Sequence, residues 1–202
     1  MKLSLLYRCI VTDKNGKIVR RTRWRKSRSF VLQFLKFIEH EWTHAYDTDL
    51  LSTSLQNISN AAVSLNNGTG ASAAIRRFCI FAPVNTSAYG IVVGTGTTPP
   101  TNSDYALATI IAHGVGAGQL NYGASSYTGA AVVGSNVDFI LTRTFYNGSG
   151  ANITVNEIGI YAESMSTAGV AEAFCVIRDV ITAVTVANTQ TLTVQYTLRT
   201  TV

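Results

Sequence analysis

The sequence predicts a mainly β protein: an antiparallel β-sandwich or jelly-roll-like body with an N-terminal β-hairpin and one amphipathic helix at about 28–46. Three observations carry that expectation. Residues 191–200, Thr-Leu-Thr-Val-Gln-Tyr-Thr-Leu-Arg-Thr, alternate polar and apolar over ten positions, the period of a strand with one buried face. From Asp47 onward the chain is a series of short β-rich runs cut by Gly, Asn, Ser and Thr clusters, with only Pro83, Pro99 and Pro100 as prolines. Before them, Phe30, Phe34, Phe37, Ile38 and Trp42 recur at i, i+4, i+7, i+8 and i+12, a stripe interrupted only by Glu41.

Taken in order, Leu3, Leu5, Tyr7 and Cys9 alternate, Asn15-Gly16 supplies a turn within residues 13–17, and Ile18-Val19 restarts a strand, so the segment from Lys2 to Trp24 reads as a hairpin. The helix follows, with Ser27 or Ser29 placed to cap its start. Seven further strands are expected, at Arg77–Phe81, Ala88–Val93, Leu120–Tyr122, Val137–Tyr146, Thr154–Ala162, Ala171–Val180 and Gln190–Thr200. The implied division is a hairpin-plus-helix arm at 1–50 and a sandwich body at 51–202.

Charge separates the same two parts. Residues 1–46 hold eleven of the sixteen Lys and Arg residues against three acids, net +8, while residues 47–202 are net −3. Charged residues are 13% of the chain, about half the usual quarter. A surface so poor in charge is covered by partners or built of Ser, Thr, Asn and Gly. Hydrophobic content of 47% excludes disorder throughout, and 202 residues are enough for a real core. No run of 18 apolar residues suggests a membrane span, and the first eleven residues do not form a secretory leader. Five Asn-x-Ser/Thr matches (Asn57, Asn67, Asn85, Asn147, Asn152) therefore read as Asn-rich loops. Cys9, Cys79 and Cys175 are isolated and odd in number, which argues against a disulfide framework and a cysteine zinc site.

Four motifs bear on chemistry. His40-Glu41-Trp42-Thr43-His44 matches H-E-x-x-H, which on a helix sets two imidazoles on one face for zinc and leaves the Glu as base. Glu39 is an unexpected charge beside it, Asp47 and Leu50 stand where an extended zinc motif needs Gly and His, and no third ligand is indicated; a polar helix end is the preferred reading, and no cofactor or metal is expected. Gly94-Thr-Gly96 lacks the third glycine of a dinucleotide loop, and Pro99-Pro100 stops the helix such a loop requires. Serine or cysteine nucleophiles lack a partner, since His113 is the sole histidine outside the helix. The strongest electrostatic feature is Arg20, Arg21, Arg23, Arg25, Lys26 and Arg28 around Trp24. Such a run suits phosphates or an acidic protein, and alternation would put Arg21, Arg23 and Arg25 on one strand face with Arg20, Trp24 and Lys26 on the other. A protein partner is preferred over nucleic acid.

The segment Phe145-Tyr-Asn-Gly-Ser-Gly-Ala-Asn-Ile-Thr-Val-Asn-Glu-Ile-Gly-Ile-Tyr161, with Phe174-Cys-Val-Ile-Arg-Asp179 and the closing alternating strand, resembles virion structural proteins of tailed bacteriophages, in which a strand ending Glu-Ile-Gly-aliphatic-Tyr/Phe recurs in virion-attached domains. Ile91-Val-Val-Gly-Thr-Gly-Thr-Thr98 and Asp104-Tyr-Ala-Leu-Ala108 resemble the front half of that module, so the likeness covers about 90–202. It implies a non-enzymatic virion subunit, a symmetric homo-oligomer acting as adaptor, ring, collar, tail or capsid-surface protein, assembled in the host cytoplasm and partnered by other virion proteins. The loop Glu163–Gly169 replaces the charged turn of the fibre pattern, which favours a compact subunit over a receptor-binding fibre. In that reading Arg20, Arg21, Arg23, Trp24, Arg25, Lys26, Arg28, Phe30 and Phe34 are the partner-docking residues. Two alternatives are a carbohydrate-binding sandwich using Tyr122, Tyr127 and Tyr146, and a zinc metalloprotease using His40, Glu41 and His44.

Overall fold

The computed structural model describes residues 2–27, 29–43, 54–65 and 78–201. In chain order the elements are β1 (Lys2–Thr12), β2 (Ile18–Arg21), β3 (Arg25–Ser27), α1 (Leu32–Thr43), β4 (Ser54–Gln56), β5 (Ala62–Ser64), β6 (Gly90–Gly94), β7 (Asn121–Val133), β8 (Asn136–Tyr146), β9 (Ile153–Met165), β10 (Ala171–Val186) and β11 (Thr191–Thr201). The fold is mainly β and sandwich-like. A six-stranded sheet in the order β2-β1-β11-β8-β7, with β3 also on β1, faces a three-stranded sheet in the order β10-β9-β6. All of these pairings are antiparallel, and β4 and β5 make a small separate ribbon.

Period-two alternation sorts the large sheet into two faces. Leu5, Tyr7, Cys9 and Val11 of β1, Leu192, Val194 and Tyr196 of β11, and Leu141 and Phe145 of β8 point into the core and are buried. Full burial of side chains of this kind is worth about 1.5–3 kcal/mol each. The opposite face carries Thr142, Thr144, Thr193 and Gln195, uncharged polar residues that suit a solvated sheet surface.

The smaller sheet is covered on both sides. In β10 every residue from Phe174 to Asp179 is buried, which alternation alone does not produce. One cover is the segment 29–31 and α1. Arg178 N–H donates to Ser29 O at 3.1 Å and Val31 N–H to Val176 O at 3.2 Å, so this segment occupies the edge of β10, and Phe37 packs on Phe174 at 5.3 Å between ring centroids. Phe30, Phe34 and Phe78 close the end of the sandwich over an apolar gap of about 70 Å³ shared with Leu5, Phe139 and Leu198.

Several expectations change. The arm and body expected to divide at residue 50 share one sheet: β1 pairs with β11 from Lys2↔Thr201 to Thr12↔Thr191, so the hairpin is built into the sandwich. The helix begins at Leu32, not 28, and neither Ser27 nor Ser29 caps it; Leu32 N–H donates instead to Asn102 O at 2.8 Å. Its expected end at 44–46 lies outside the described residues. Its buried face is Gln33, Phe37 and His40, whereas Trp42 is 82% exposed. The strand expected at Arg77–Phe81 is reduced, within the described residues, to one bridge between Cys79 and Glu163. Leu120–Tyr122 is the start of a strand running to Val133, and β3, β4 and β5 were not anticipated.

Candidate functional site

The basic run forms the outer edge of the large sheet. β2 and β3 both pair with β1, on the side opposite β11, and Arg20, Arg21, Arg23, Trp24, Arg25 and Lys26 are all exposed. Arg28 lies outside the described residues. The expected face assignment is corrected by register. Arg21 stands opposite Ile10 and Lys26 opposite Leu6, on the solvated face, while Arg20 stands opposite Val11 and Arg25 opposite Tyr7, on the core side. The interruption at 22–24, where Thr22 N–H donates to Cys9 O and Cys9 N–H to Thr22 Oγ1, shifts the phase by one residue. Trp24 lies under the Arg8 guanidinium at 4.3 Å, and Gln195 Oε1, directly opposite on the neighbouring strand β11, accepts from that guanidinium.

Phe30 and Phe34 do not share that exposure. Their rings lie 4.3 Å apart and are half-buried, and Phe34 continues to Phe78 at 6.3 Å, so both are spent on closing the body. In the H-E-x-x-H string, His40 is buried and faces the body, Glu41 is half-buried, and His44 lies outside the described residues. Among the described residues no group of three or more His, Cys, Asp or Glu side chains comes together for a metal. The three tyrosines proposed for sugar stacking are not presented together. Tyr122 is fully buried, and Tyr127, opposite Leu141, lies on the other face of the sheet from Tyr146, five positions further along β8.

The best-organised polar constellation is buried. Glu157, at 0% exposure on β9, accepts from Gly96 N–H (3.0 Å) and Thr109 N–H (2.7 Å) through Oε1, and from Ala108 N–H (3.1 Å) and Arg178 Nε (3.1 Å) through Oε2. Arg178 on β10 also donates to Asp104 Oδ2 at 2.6 Å and to Thr98 O at 2.8 Å. Tyr161, two turns of the pleat beyond Glu157, accepts from Leu107 N–H at 2.6 Å. Between them Gly159 leaves room for the covering loop: a Cβ there would stand 2.6 Å from Ile177 O and 3.0 Å from Leu107. These contacts bind the segment 95–112 across the outside of the smaller sheet.

The ionisation of this network follows from its contacts. Burial pushes the Asp104 carboxyl up, but two hydrogen bonds from Thr101 and the Arg178 guanidinium outweigh it and hold its pKa below the ordinary 3.8. Burial works against the Arg178 charge, and Asp104 and Glu157 more than compensate, so its pKa is raised. Burial, reinforced by neighbouring Cys175, likewise raises the Tyr161 phenol. These shifts move Asp104, Arg178 and Tyr161 away from neutral pH, a property that suits a strut.

A second constellation has no carboxylate. Arg143, fully buried on β8, donates all five N–H groups to backbone carbonyls: Gly123 from Nε, Tyr89 and Ile91 from Nη1, and Pro83 and Thr86 from Nη2, at 2.6–3.0 Å. Its guanidinium carbon stands 4.9 Å from the Tyr122 ring centroid, and burial lowers its pKa to about 10. One side chain thereby fastens the loop 83–91 to both sheets. Sequence reading missed it, although the signal was present: Phe139, Leu141, Arg143 and Phe145 share the core-facing parity, and an arginine there requires a full set of acceptors. Searches against protein-family models, curated proteins and solved structures match nothing to this chain.

Proposed function

We propose that this chain is a non-enzymatic structural protein of a tailed-phage virion, a symmetric subunit acting as adaptor, ring, collar, tail or capsid-surface component. The observation that carries the reading is the convergence of the separated motifs on which the phage resemblance rests. Gly94 and Gly96, Asp104 and Leu107, Glu157-Ile-Gly-Ile-Tyr161, and Arg178 all meet in the network that binds the segment 95–112 to the smaller sheet. Their shared work is to hold a surface segment in place, which is what a building block needs from them.

The exposed Arg20, Arg21, Arg23, Arg25 and Lys26 edge is the docking face for another virion component. Its chemistry fits an acidic protein surface, since row after row of cations on a strand edge blocks its own pairing with a like copy and selects a partner of opposite charge. Mass spectrometry of particles released from the strain that carries this gene tests the reading. Stoichiometric recovery of the chain with purified particles is expected; absence from them overturns it. Within such particles, Arg25→Glu with Lys26→Glu is expected to lower incorporation while leaving the isolated chain folded.

A further inference from the structure

The large sheet has two edges of unlike chemistry. At β2 and β3 four exposed cations, Arg20, Arg21, Arg25 and Lys26, line the edge. At the other end stands β7. Its first half is already occupied: Asn85 N–H donates to Tyr122 O at 2.9 Å and Ser125 N–H to Ala82 O at 2.8 Å, so the loop fastened by Arg143 covers that stretch. From Ser126 to Val133 the strand pairs only with β8 among the described residues, and all eight residues are exposed.

That free half lacks the side chains by which sheets discourage edge-to-edge contact. No Asp, Glu, Lys, Arg or Pro occurs between Asn121 and Val137. Tyr127 is 62% and Val132 77% exposed, and Phe81 extends the apolar surface by an edge-to-face contact with Tyr127 at 5.6 Å. A bulge between Thr128 and Ala131 has a geometric consequence. Tyr127 stands opposite Leu141 and Val132 opposite Val137, positions of equal parity, so the bulge returns both side chains to one face of the sheet.

We infer that Ser126–Val133 pairs antiparallel with the same segment of a second copy, about a two-fold axis at Gly129 and Ala130 that sets Tyr127 of each copy opposite Val132 of the other. An axis normal to the sheet keeps each side chain on its own face, so the match requires Tyr127 and Val132 to share a face, and the bulge supplies that. An uncharged edge meets its own copy without repulsion, which the basic edge cannot do, and aromatic against β-branched residues is a favourable cross-strand pair. Eight residues give about 27 Å of paired edge, continuing the large sheet from one copy into the next. This inference rests on the assembly reading and names the symmetric contact within it.

Sedimentation velocity on the full chain tests it. The wild type is expected to dimerise, and Val132→Lys, at an exposed position, to raise the dissociation constant at least about tenfold, with no change in the thermal midpoint measured at concentrations where both proteins are monomeric. Mixing Tyr127→Cys protein with Val132→Cys protein under a mild thiol oxidant should give a disulfide-linked dimer that neither gives alone and that Leu35→Cys, on the exposed side of α1, does not give with either. A wild type that stays monomeric at high concentration overturns the proposal. So does a dimer that survives Val132→Lys and is lost with Arg25→Glu and Lys26→Glu, which would place the junction at the basic edge. Particle content is read separately: a β7-linked dimer absent from virions leaves the contact standing and removes the virion function, and a virion-borne monomer does the reverse.

Discussion

Glu157 and Arg178 meet at 3.1 Å with their side chains 0% and 2% exposed, on neighbouring strands of the smaller sheet. Taking two charges out of water is unfavourable unless they are paired and hydrogen-bonded, and here three backbone N–H groups serve Glu157 while Asp104 and Thr98 O accept from the two Nη atoms of Arg178. Removing one member leaves the others buried and uncompensated. Glu157→Gln keeps the shape but turns one oxygen into a donor facing other donors. The expected loss is about 3–5 kcal/mol, and at about 2–4 °C per kcal/mol for a chain of this length the thermal midpoint should fall by roughly 10 °C. Differential scanning calorimetry measures it; an unchanged midpoint would show that the network adds nothing to stability.

Acid should weaken the same region. Because the folded Asp104 has a pKa below the ordinary 3.8, the unfolded chain binds more protons than the native one in that range. The stabilisation is therefore complete above that value and is lost as pH falls through the folded pKa. Asp138, depressed by its hydrogen bonds from Arg199, adds to the slope in the same direction. Urea midpoints followed from about pH 5 to about pH 2 should decline, and Asp104→Asn should make the decline shallower while lowering stability at pH 5.

At Arg143 a conservative replacement is expected to fail. Lysine offers three donors where five carbonyls wait, so Arg143→Lys leaves at least two acceptors unmet, at about 1–3 kcal/mol each. Amide exchange in the loop 83–91 should accelerate well beyond that in β11, which Arg143 does not fasten. Equal acceleration in both would mean that global unfolding, not release of the loop, is the consequence.

The glycines divide by environment. Gly159→Ala would push a methyl to 2.6 Å from Ile177 O, so the strands or the covering loop must move, and a loss of about 1–3 kcal/mol is expected. At Gly129 nothing lies within 4 Å of the added carbon, and the backbone there is not in the left-handed region. Gly129→Ala should be neutral within about 0.5 kcal/mol or slightly stabilising. Paired denaturation curves decide between them.

Thiol reactivity should be uneven. Burial pushes Cys9 to about 12 and raises Cys175 still further, so neither presents thiolate at neutral pH, whereas Cys79 is only half-buried. Intact-protein mass spectrometry after brief alkylation of the folded chain should show one adduct, at Cys79, and three after denaturation. A native adduct at Cys9 would indicate that β1 separates readily from its neighbours.

Much of the architecture was legible because it rests on local periodicity. The alternation in 191–200 and the Leu5, Tyr7, Cys9 series mark strands that carry the same faces in the structure. The part of β7 beyond Tyr122 was not legible, because Gly123, Gly129 and the alanines have weak strand preference and two bulges break the period; β8 imposes the strand by pairing. The helix stripe was misphased at its end, where His40 turns inward and Trp42 outward, since the covering of β10 and not hydrophobicity sets the rotation. Nothing local tells a reader that Leu5 faces Leu198. For the buried network the pattern Glu-Ile-Gly-Ile-Tyr was visible as a likeness, but its chemistry needed Gly96, Thr109 and Arg178 brought from three distant segments.

The β1–β11 ladder has a kinetic meaning. Thr12 and Thr191 are the nearest paired residues in sequence, and Lys2 and Thr201 the furthest, so the first strand waits for the last before its second edge is satisfied. Loop closure of that span is slow, and the two halves of the large sheet, β2-β3-β1 and β11-β8-β7, cannot join until it happens. On a ribosome the hairpin would keep its β11-facing flank open until the whole stretch from β2 to β10 had been made, and the arginines, which line the opposite edge, leave that flank unshielded in the meantime.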